Sequence, residues 1–552
     1  MKKNNVINVE TVYKERNPNL IEPKNFRSDK IVKDKNSYRV AIISPQVIGA
    51  KKQVRKATPP LGQAYIAGVL EAKGHEVLLI DAAVDGYSNV SPLDEYIAND
   101  KTGSFKISDI DHEFIIYGLS NDKIIDKVRE FSPDVLGVSS LFSSQTECAY
   151  SIARSLKSVF PNLPIIMGGN HASQQSEEIM DSIDEIDFII TGECDFTFSE
   201  FVQKYLDGEN YKNVPGLVWR EEAQICKNDN APFIRDLDVL PFPAWHLYDL
   251  EKYFEIGMPH NVFIKSDRVA GIMTSRGCPE FCYFCTTPDF LGGRFRAMSV
   301  EKVVELVEYN VKNWGVEELQ ILDDTFTLNH SRVVKIMEGI KHLGLRISLP
   351  NAIRADAPID VKKRLNMFKA MADAGVYQLG ISVEHGDQDF LDNAIQKRLS
   401  LEQVKISVDL CHEAGILAHT NFMMGFPFET AEHREKTIRF ARELDSDSYS
   451  VSLVAPLPGT PLWDICKEHK LFMPNFNVDR VVLANVNIKP YDITPEELLE
   501  LVDKLNRELN EKAQNTTPLW RREKIADKYE TFKQSNKSTS GDRKLHFSTQ
   551  SS

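Results

Sequence analysis

Apolar positions along the chain change period repeatedly, and those changes mark out its elements. From Tyr38 the run YRVAIISP is a short β-branched strand stopped by Pro45, followed by a Gly- and Lys-rich loop. PPLGQAYIAGVLEAKGH then carries apolar residues at helical spacing up to a glycine stop, and EVLLIDA reads as a second buried strand. The alternation continues with DKVREFSPD (helix), VLGVSSLF (strand and loop), ECAYSIARSLKSVF (helix), PIIMGGNHA and DFIITGE (strands and loops). Strands alternating with helices predict right-handed βαβ units around a parallel sheet. Residues 38–212 are therefore expected to form an α/β, Rossmann-like doubly wound domain of about five strands.

A proline-marked linker, 213–262, leads into a second series over 263–475. Its strands read AGIMTS (270–275), ELQIL (318–322), RISLP (346–350), VYQLGIS (376–382), ILAHTNFMM (416–424) and SYSVSLV (448–454). Between them lie VEKVVELVEYNVKNW, SRVVKIMEGIKHLG, VKKRLNMFKAMADAG, EQVKISVDLCHEAG and AEHREKTIRFARELD, all at helical period. Six β/α units make either another open sheet or a partial (β/α)6 barrel, whose site gathers at the C-terminal strand ends. A small helical region, 476–515, contains the amphipathic PEELLELVDKLNRELNEKA. Residues 1–37 lack periodicity and read as a flexible lead-in, and the polar tail 516–552 as disordered.

Charge and composition narrow the function. A net charge of −14 argues against a nucleic-acid partner, because phosphate binding needs basic surface. No uninterrupted stretch of eighteen apolar residues is present and the N-terminus has no apolar signal core, so neither membrane nor export is expected. Eight cysteines in 552 residues are too few for a disulfide scaffold, and the compartment reads as reducing and cytoplasmic.

In a doubly wound sheet the ligand lies outside the carboxyl ends of the strands. Ser139, Ser140, Ser144, Gly168, Gly169, His171, Gly192 and Glu193 all follow predicted strands at that end. Each alone could be an ordinary turn residue; together they suggest a ligand site. No G-x-G-x-x-G follows the first strand and no G-x-x-x-x-G-K-[ST] occurs, so a dinucleotide or P-loop nucleotide loses its main support.

The strongest chemistry follows AGIMTS. RGCPEFCYFC places Cys278, Cys282 and Cys285 in a C-x3-C-x2-C run, close enough for one short loop to bring three thiolates to one metal centre. Structural zinc usually takes paired C-x2-C units, and no second pair lies nearby. Three thiolates instead suit a [4Fe–4S] cluster with one iron left open. Cys148, Cys226, Cys411 and Cys466 are scattered and read as idle thiols; Phe281 and Tyr283 read as packing for the cysteine loop.

The cysteine run, with Phe284 before its last cysteine, resembles the radical S-adenosylmethionine (SAM) superfamily. LDDTFT, RAD, GISVEHG and GFPFET also fall at strand ends where that family has motifs. The resemblance implies that SAM chelates the open iron near Phe284, that Glu384 meets the ribose hydroxyls, and that Asp324 and Arg354 meet the methionine ammonium and carboxylate. Structural ion pairs or caps are the alternative for these three. Phe428 stands where the family usually has glycine. The upstream stretches PPLGQAYIAGVLEAKGHEVLLIDA, PDVLGVSS, MGGNHAS and DFIITGE resemble the cobalamin-binding domain fused to many radical SAM enzymes. Without D-x-H-x-x-G, His171 is expected to line the corrinoid pocket rather than ligate cobalt; Cys194 departs from the usual G-E-G-E.

Together these resemblances imply a cobalamin-dependent radical SAM methyltransferase. It would move a methyl group from SAM via methylcobalamin to an unactivated carbon of a small molecule. A low-potential donor such as flavodoxin or ferredoxin would supply electrons. PFPAWHLYDLEKYFEIG, YGLSND and SRGCPEFCYFCTTPDF resemble the phosphonate C-methyltransferases of this family. A cobalamin-using oxidative cyclase or rearrangement enzyme is the alternative, and a regulator with a vestigial barrel is disfavoured by the intact cysteine run.

Overall fold

The structure, a computed structural model, describes residues 26–27, 31–51, 54–99, 104, 114–261, 263–474, 476–478, 481 and 485–516. The expected disorder of 516–552 thus falls almost wholly outside the described residues, as does most of the 1–37 lead-in. The described part of the lead-in is tied down: Phe26–Arg27 pairs in parallel with Phe233–Ile234, and Asp34 Oδ2 lies 3.0 Å from His75 Nε2.

Five buried β-branched runs form the first parallel sheet: β1 (Arg39–Ser44), β2 (Glu76–Asp81), β3 (Val135–Ser139), β4 (Ile165–Gly168) and β5 (Phe188–Ile190), in the order 2-1-3-4-5. Helices α1 (Leu61–Lys73) and α4 (Thr197–Leu206) cover one face through Ala64, Ala67, Leu70, Phe198 and Phe201. Helices α2 (Asn121–Phe131) and α3 (Thr146–Val159) cover the other through Ile124, Val128, Ile152 and Leu156. Chain direction across the sheet reverses between β1 and β3, the switch point where such sheets bind ligands.

Part of the stretch read as linker belongs to this sheet. Leu217–Glu221 and Gln224–Lys227 form an antiparallel hairpin beside β5, making seven strands. A second small sheet, of Val47–Ala50, Val90–Pro92 and Phe114–Tyr117, was not expected from the sequence because its strands are too short to show a period.

The second domain is a six-stranded, all-parallel sheet in sequential order: β6 (Val269–Ile272), β7 (Glu318–Ile321), β8 (Arg346–Ile353), β9 (Val376–Glu384), β10 (Leu417–Met424) and β11 (Ser448–Leu453). Its strands match the six expected from sequence, although β8 and β9 run on for several residues. The helices between them fill one large core with Leu306, Ile336, Met367, Phe368, Val404 and Val408.

The exposed edge of β11 is covered by α5 (Pro495–Thr516). Asn506 accepts the Val451 N–H at 2.8 Å and donates to the Val451 carbonyl at 2.7 Å; Asn510 does the same for Tyr449 at 3.0 and 3.0 Å. Two asparagines one helical turn apart thus match two strand residues two apart and close the edge as a partner strand would. Among the described residues no helix is long and apolar enough to cross a membrane. Replacing Asn506 by Leu leaves the buried Val451 amide unpaired, so thermal denaturation is expected to show a loss of about 1–3 kcal/mol.

Candidate active site

The cysteine loop begins where β6 ends. Gly277, at φ 88°, makes the turn into it, and a Cβ there would run into the carbonyl oxygens of Leu291, Gly292 and Arg294, so only glycine fits. Cys278 N–H donates to the Gly292 carbonyl at 3.2 Å, and a turn joins Cys285 N–H to the Cys282 carbonyl at 3.0 Å. Tyr283 clamps the loop from within. It is buried, its N–H and carbonyl bond Ile395 and Leu462, and its ring lies 6.0 Å from that of Phe426. Phe284 packs beside the same ring.

Burial pushes the Cys278 thiol up to about 12 and raises Cys282 and Cys285 as well, and each sulfur also feels the charge of its neighbours. Thiols that resist ionisation lose their protons, which pass to water, when a cation takes the sulfurs. Among the described residues no three His, Cys, Asp or Glu side chains gather closely enough to share a single ion. The thiols are distributed along one loop, an arrangement a cluster with one iron per sulfur accommodates.

Around this loop lie the residues expected to hold SAM. Asp323 and Asp324 follow β7 and have opposite environments. Asp323 accepts the Thr274 N–H and hydroxyl, both at 2.6 Å, and the Ser275 hydroxyl, locking β7 to β6. Asp324 is half-buried, with its Oδ2 shut off from water and unpartnered, and Thr287 Oγ1 stands 3.4 Å from Oδ1. Burial, and then the charge of Asp323, pushes its carboxyl up to about 6. A carboxylate with one buried, unsatisfied oxygen fits the ammonium of SAM, which would satisfy it.

Glu384 ends β9 at φ 69°, in a left-handed conformation uncommon outside glycine, beside a register shift against β10. Its Oε1 receives Lys397 Nζ at 2.6 Å, and both residues are buried. Arg354 is fully engaged: it pairs with Glu280 at 2.9 Å, inside the cysteine loop, and donates to Asp356, Lys397 and Arg398 at 3.0, 3.1 and 2.6 Å. It braces the cysteine loop against the 396–398 loop and has no fork free for a carboxylate.

At the end of the first sheet, Ser139 closes β3, and Ser140 is wholly buried with an unpartnered hydroxyl. Gly168 closes β4, and a Cβ on Gly169 would meet the Ser140 carbonyl at 2.6 Å. His171 is buried, held at about 4 by that burial, with Nδ1 2.9 Å from Ser143 Oγ beside half-buried Ser144. Leu141 and Phe142 are exposed next to them. A side-chain-free cradle, an orphaned hydroxyl, a neutral imidazole and exposed apolar groups fit a large, mainly neutral macrocycle.

Gly192 turns at φ 76°, and Glu193 has a task the sequence did not reveal. Its carboxylate accepts Arg276 at 2.6 Å, Arg296 at 2.9 Å and the Ile234 N–H at 2.8 Å, while Asp195 takes Arg276 through both nitrogens at 2.8 and 3.0 Å. Burial disfavours the Glu193 charge, but the two guanidiniums outweigh it and hold its carboxyl below the usual range. Two further bonds cross between the domains: Asn170 Nδ2 to Thr286 Oγ1 at 3.0 Å and Gln174 Nε2 to Asp289 Oδ2 at 2.6 Å. Asn170 adjoins Gly169 and Thr286 adjoins Cys285, so the two candidate sites face each other. Lys397 and Arg296 went unnoticed in the sequence, where Arg276 stood only in the SRGC run and Asp195 only as the last residue of the run compared with G-E-G-E.

Both domains have counterparts in known proteins. Residues 272–441 match the radical SAM superfamily and 102–202 the B12 binding domain. The cytidylyl-2-hydroxyethylphosphonate methyltransferase of Streptomyces wedmorensis is 29% identical over 504 residues, covering 86% of this chain and 90% of its own. An uncharacterised methyltransferase of Pyrococcus horikoshii is 30% identical over 470 residues, covering 84% of this chain and 91% of its own. In fold, the cobalamin-dependent SAM radical enzyme OxsB with aqua-cobalamin bound superposes with a TM-score of 0.66 at 17% identity, over 90% of this chain and 72% of its own. The chain belongs to the cobalamin-dependent radical SAM enzymes. Within them it is a methyltransferase that uses a [4Fe–4S] cluster, SAM and cobalamin; oxidative cyclisation is the less supported chemistry.

Asp324 yields a pH-dependent prediction. Its folded-state value stands above its ordinary 3.8, so its burial costs stability that builds as pH rises from about 3.8 to about 6, is full above that, and vanishes in acid. Asp324→Asn is expected to stabilise SAM-free protein by on the order of 2 kcal/mol at pH 8, to leave it unchanged near pH 4, and to weaken SAM binding. Thermal denaturation at both pH values and equilibrium dialysis with SAM check this.

Proposed function

We propose that the enzyme transfers a methyl group to an unactivated carbon of a nucleotide-linked phosphonate, with flavodoxin or ferredoxin as electron donor. The observation that carries this reading is the mutual facing of the two sites, bridged by Asn170–Thr286 and Gln174–Asp289. When bound, the cluster supplies the low-potential electron that cleaves SAM, and cobalamin carries the methyl group to the substrate carbon. The rest is assigned to the chain. Cys278, Cys282 and Cys285 hold the cluster and leave one iron open. Asp324 takes the ammonium of SAM. Glu384, fixed by Lys397 in its strained turn, accepts the ribose hydroxyls. Tyr283, Phe284 and Phe426 exclude water from the loop, which preserves a reactive radical long enough to meet substrate. Ser140, Gly169 and His171 would seat the corrinoid by shape and neutral polar groups.

The phosphonate part rests on similarity to the Streptomyces enzyme and on the resemblance of the 241–257 stretch. Anaerobic turnover with methyl-deuterated SAM and cytidylyl-2-hydroxyethylphosphonate tests it. The expected product carries the intact labelled methyl group, and Cys278→Ala, Cys282→Ala or Cys285→Ala each abolish both product and deoxyadenosine. Deoxyadenosine without a labelled product would refute the substrate; deoxyadenosine from a cluster-free variant would refute the chemistry.

A further inference from the structure

The segment joining the two domains runs into the barrel lumen. Asn261 N–H donates to Gln320 at 2.9 Å, its carbonyl accepts from Gln320 at 3.0 Å, and its side chain donates to Gln378 at 3.2 Å. Gln320 on β7 and Gln378 on β9 are both buried and stand on strands that are not neighbours, so Asn261 bridges the inside of the sheet. His260 bonds the side chain of Asn351, near the C-terminal end of β8, and Asn351 in turn donates to the Leu322 carbonyl at 2.6 Å. Lys56 reaches the same place from the first domain, where the next residue, Ala57, donates its N–H to the Met258 carbonyl at 2.6 Å.

These groups have no part in holding the cluster, SAM or the corrinoid as assigned above. Lys56 is exposed to solvent, and the protein packed around it lowers its ammonium. Among the described residues no carboxylate pairs with it. Burial, then the charge of Lys56, holds His260 at about 4, so the imidazole is neutral and its bond to Asn351 fixes its orientation. A lysine with no carboxylate partner among the described residues, set beside an oriented imidazole, offers an arriving anion a positive charge at a fixed place. Lysine acts there as a point charge, a role it commonly plays toward phosphoryl oxygens.

We propose that Lys56, His260 and Asn351 form the receptacle for a phosphate or phosphonate group on the substrate, held at the lumen side of the strand ends. The inference deepens the methyl-transfer reading and rests on it only for what occupies the receptacle. One group comes from each of the first domain, the joining segment and the barrel, so the receptacle exists only when the two domains are docked. It follows that an uncharged or cationic substrate would not use this site.

The test uses cofactor-loaded full-length enzyme and methylphosphonate as probe. Phosphorus NMR should show methylphosphonate binding, and acylation of Lys56, read by mass spectrometry, should fall several-fold in its presence while exposed Lys123 reacts as before. Lys56→Met and Lys56→Gln should weaken methylphosphonate binding by about tenfold or more, Lys56→Arg should restore part of it, and all three should keep the wild-type cobalamin content. Equal acylation with and without methylphosphonate would overturn the proposal. So would loss of cobalamin from both neutral variants, since Lys56 would then serve the phosphate of the corrinoid itself. Wild-type protein that binds methylphosphonate at Lys56 but transfers no labelled methyl group would leave the receptacle standing and remove the function proposed above.

Discussion

The buried charges at the domain junction are the constraint on which the rest depends. Glu193 and Asp195 of the first domain and Arg276 and Arg296 of the second are all nearly inaccessible to water. Removing four charges from water is costly, and only close, multiply bonded pairing offsets it. The network therefore fits one arrangement of the two domains and penalises others. Arg276 precedes Cys278 by two residues, and Glu193 follows the sheet end that carries the candidate corrinoid site. The same four side chains that dock the domains thus set the orientation of the two cofactor sites. Arg276 also lies over the Tyr65 ring at 5.4 Å, which ties α1 into the junction.

Around that junction the chain keeps features that a merely stable fold would avoid. Asp324 and Ser140 bury polar atoms without partners. Glu384 and Phe428 take left-handed backbone conformations at φ 69° and 62°. Such strain and dissatisfaction cluster where a ligand or reaction uses them. Phe428 is instructive, because it stands where the family usually has glycine and keeps the backbone conformation glycine would adopt freely. Its ring lies 5.5 Å from that of His469 and 6.5 Å from that of Tyr491, contacts glycine could not make.

The barrel was legible almost strand for strand, because each of its strands is a compact apolar run set between helices of clear period. The three cysteines stand on one short loop because they are close in sequence. What stayed hidden is pairing over long separations. Glu193 and Arg276 are 83 positions apart, and nothing local to either announces the other. Nothing in the sequence around Lys397 announces its bond to Glu384, and Arg354, expected at SAM, is saturated by Glu280 and the 396–398 loop. The hairpin at Leu217–Lys227 was missed because proline-rich flanks made it read as linker.

The central claim is that the junction holds the two cofactor sites face to face. Electron paramagnetic resonance of full-length enzyme carrying both cob(II)alamin and the reduced cluster tests it most directly. Mutual proximity predicts that each spectrum is broadened and relaxed by the other centre, and that Glu193→Gln combined with Asp195→Asn weakens the interaction. A spectrum equal to the sum of two isolated centres in the wild-type enzyme would contradict the account.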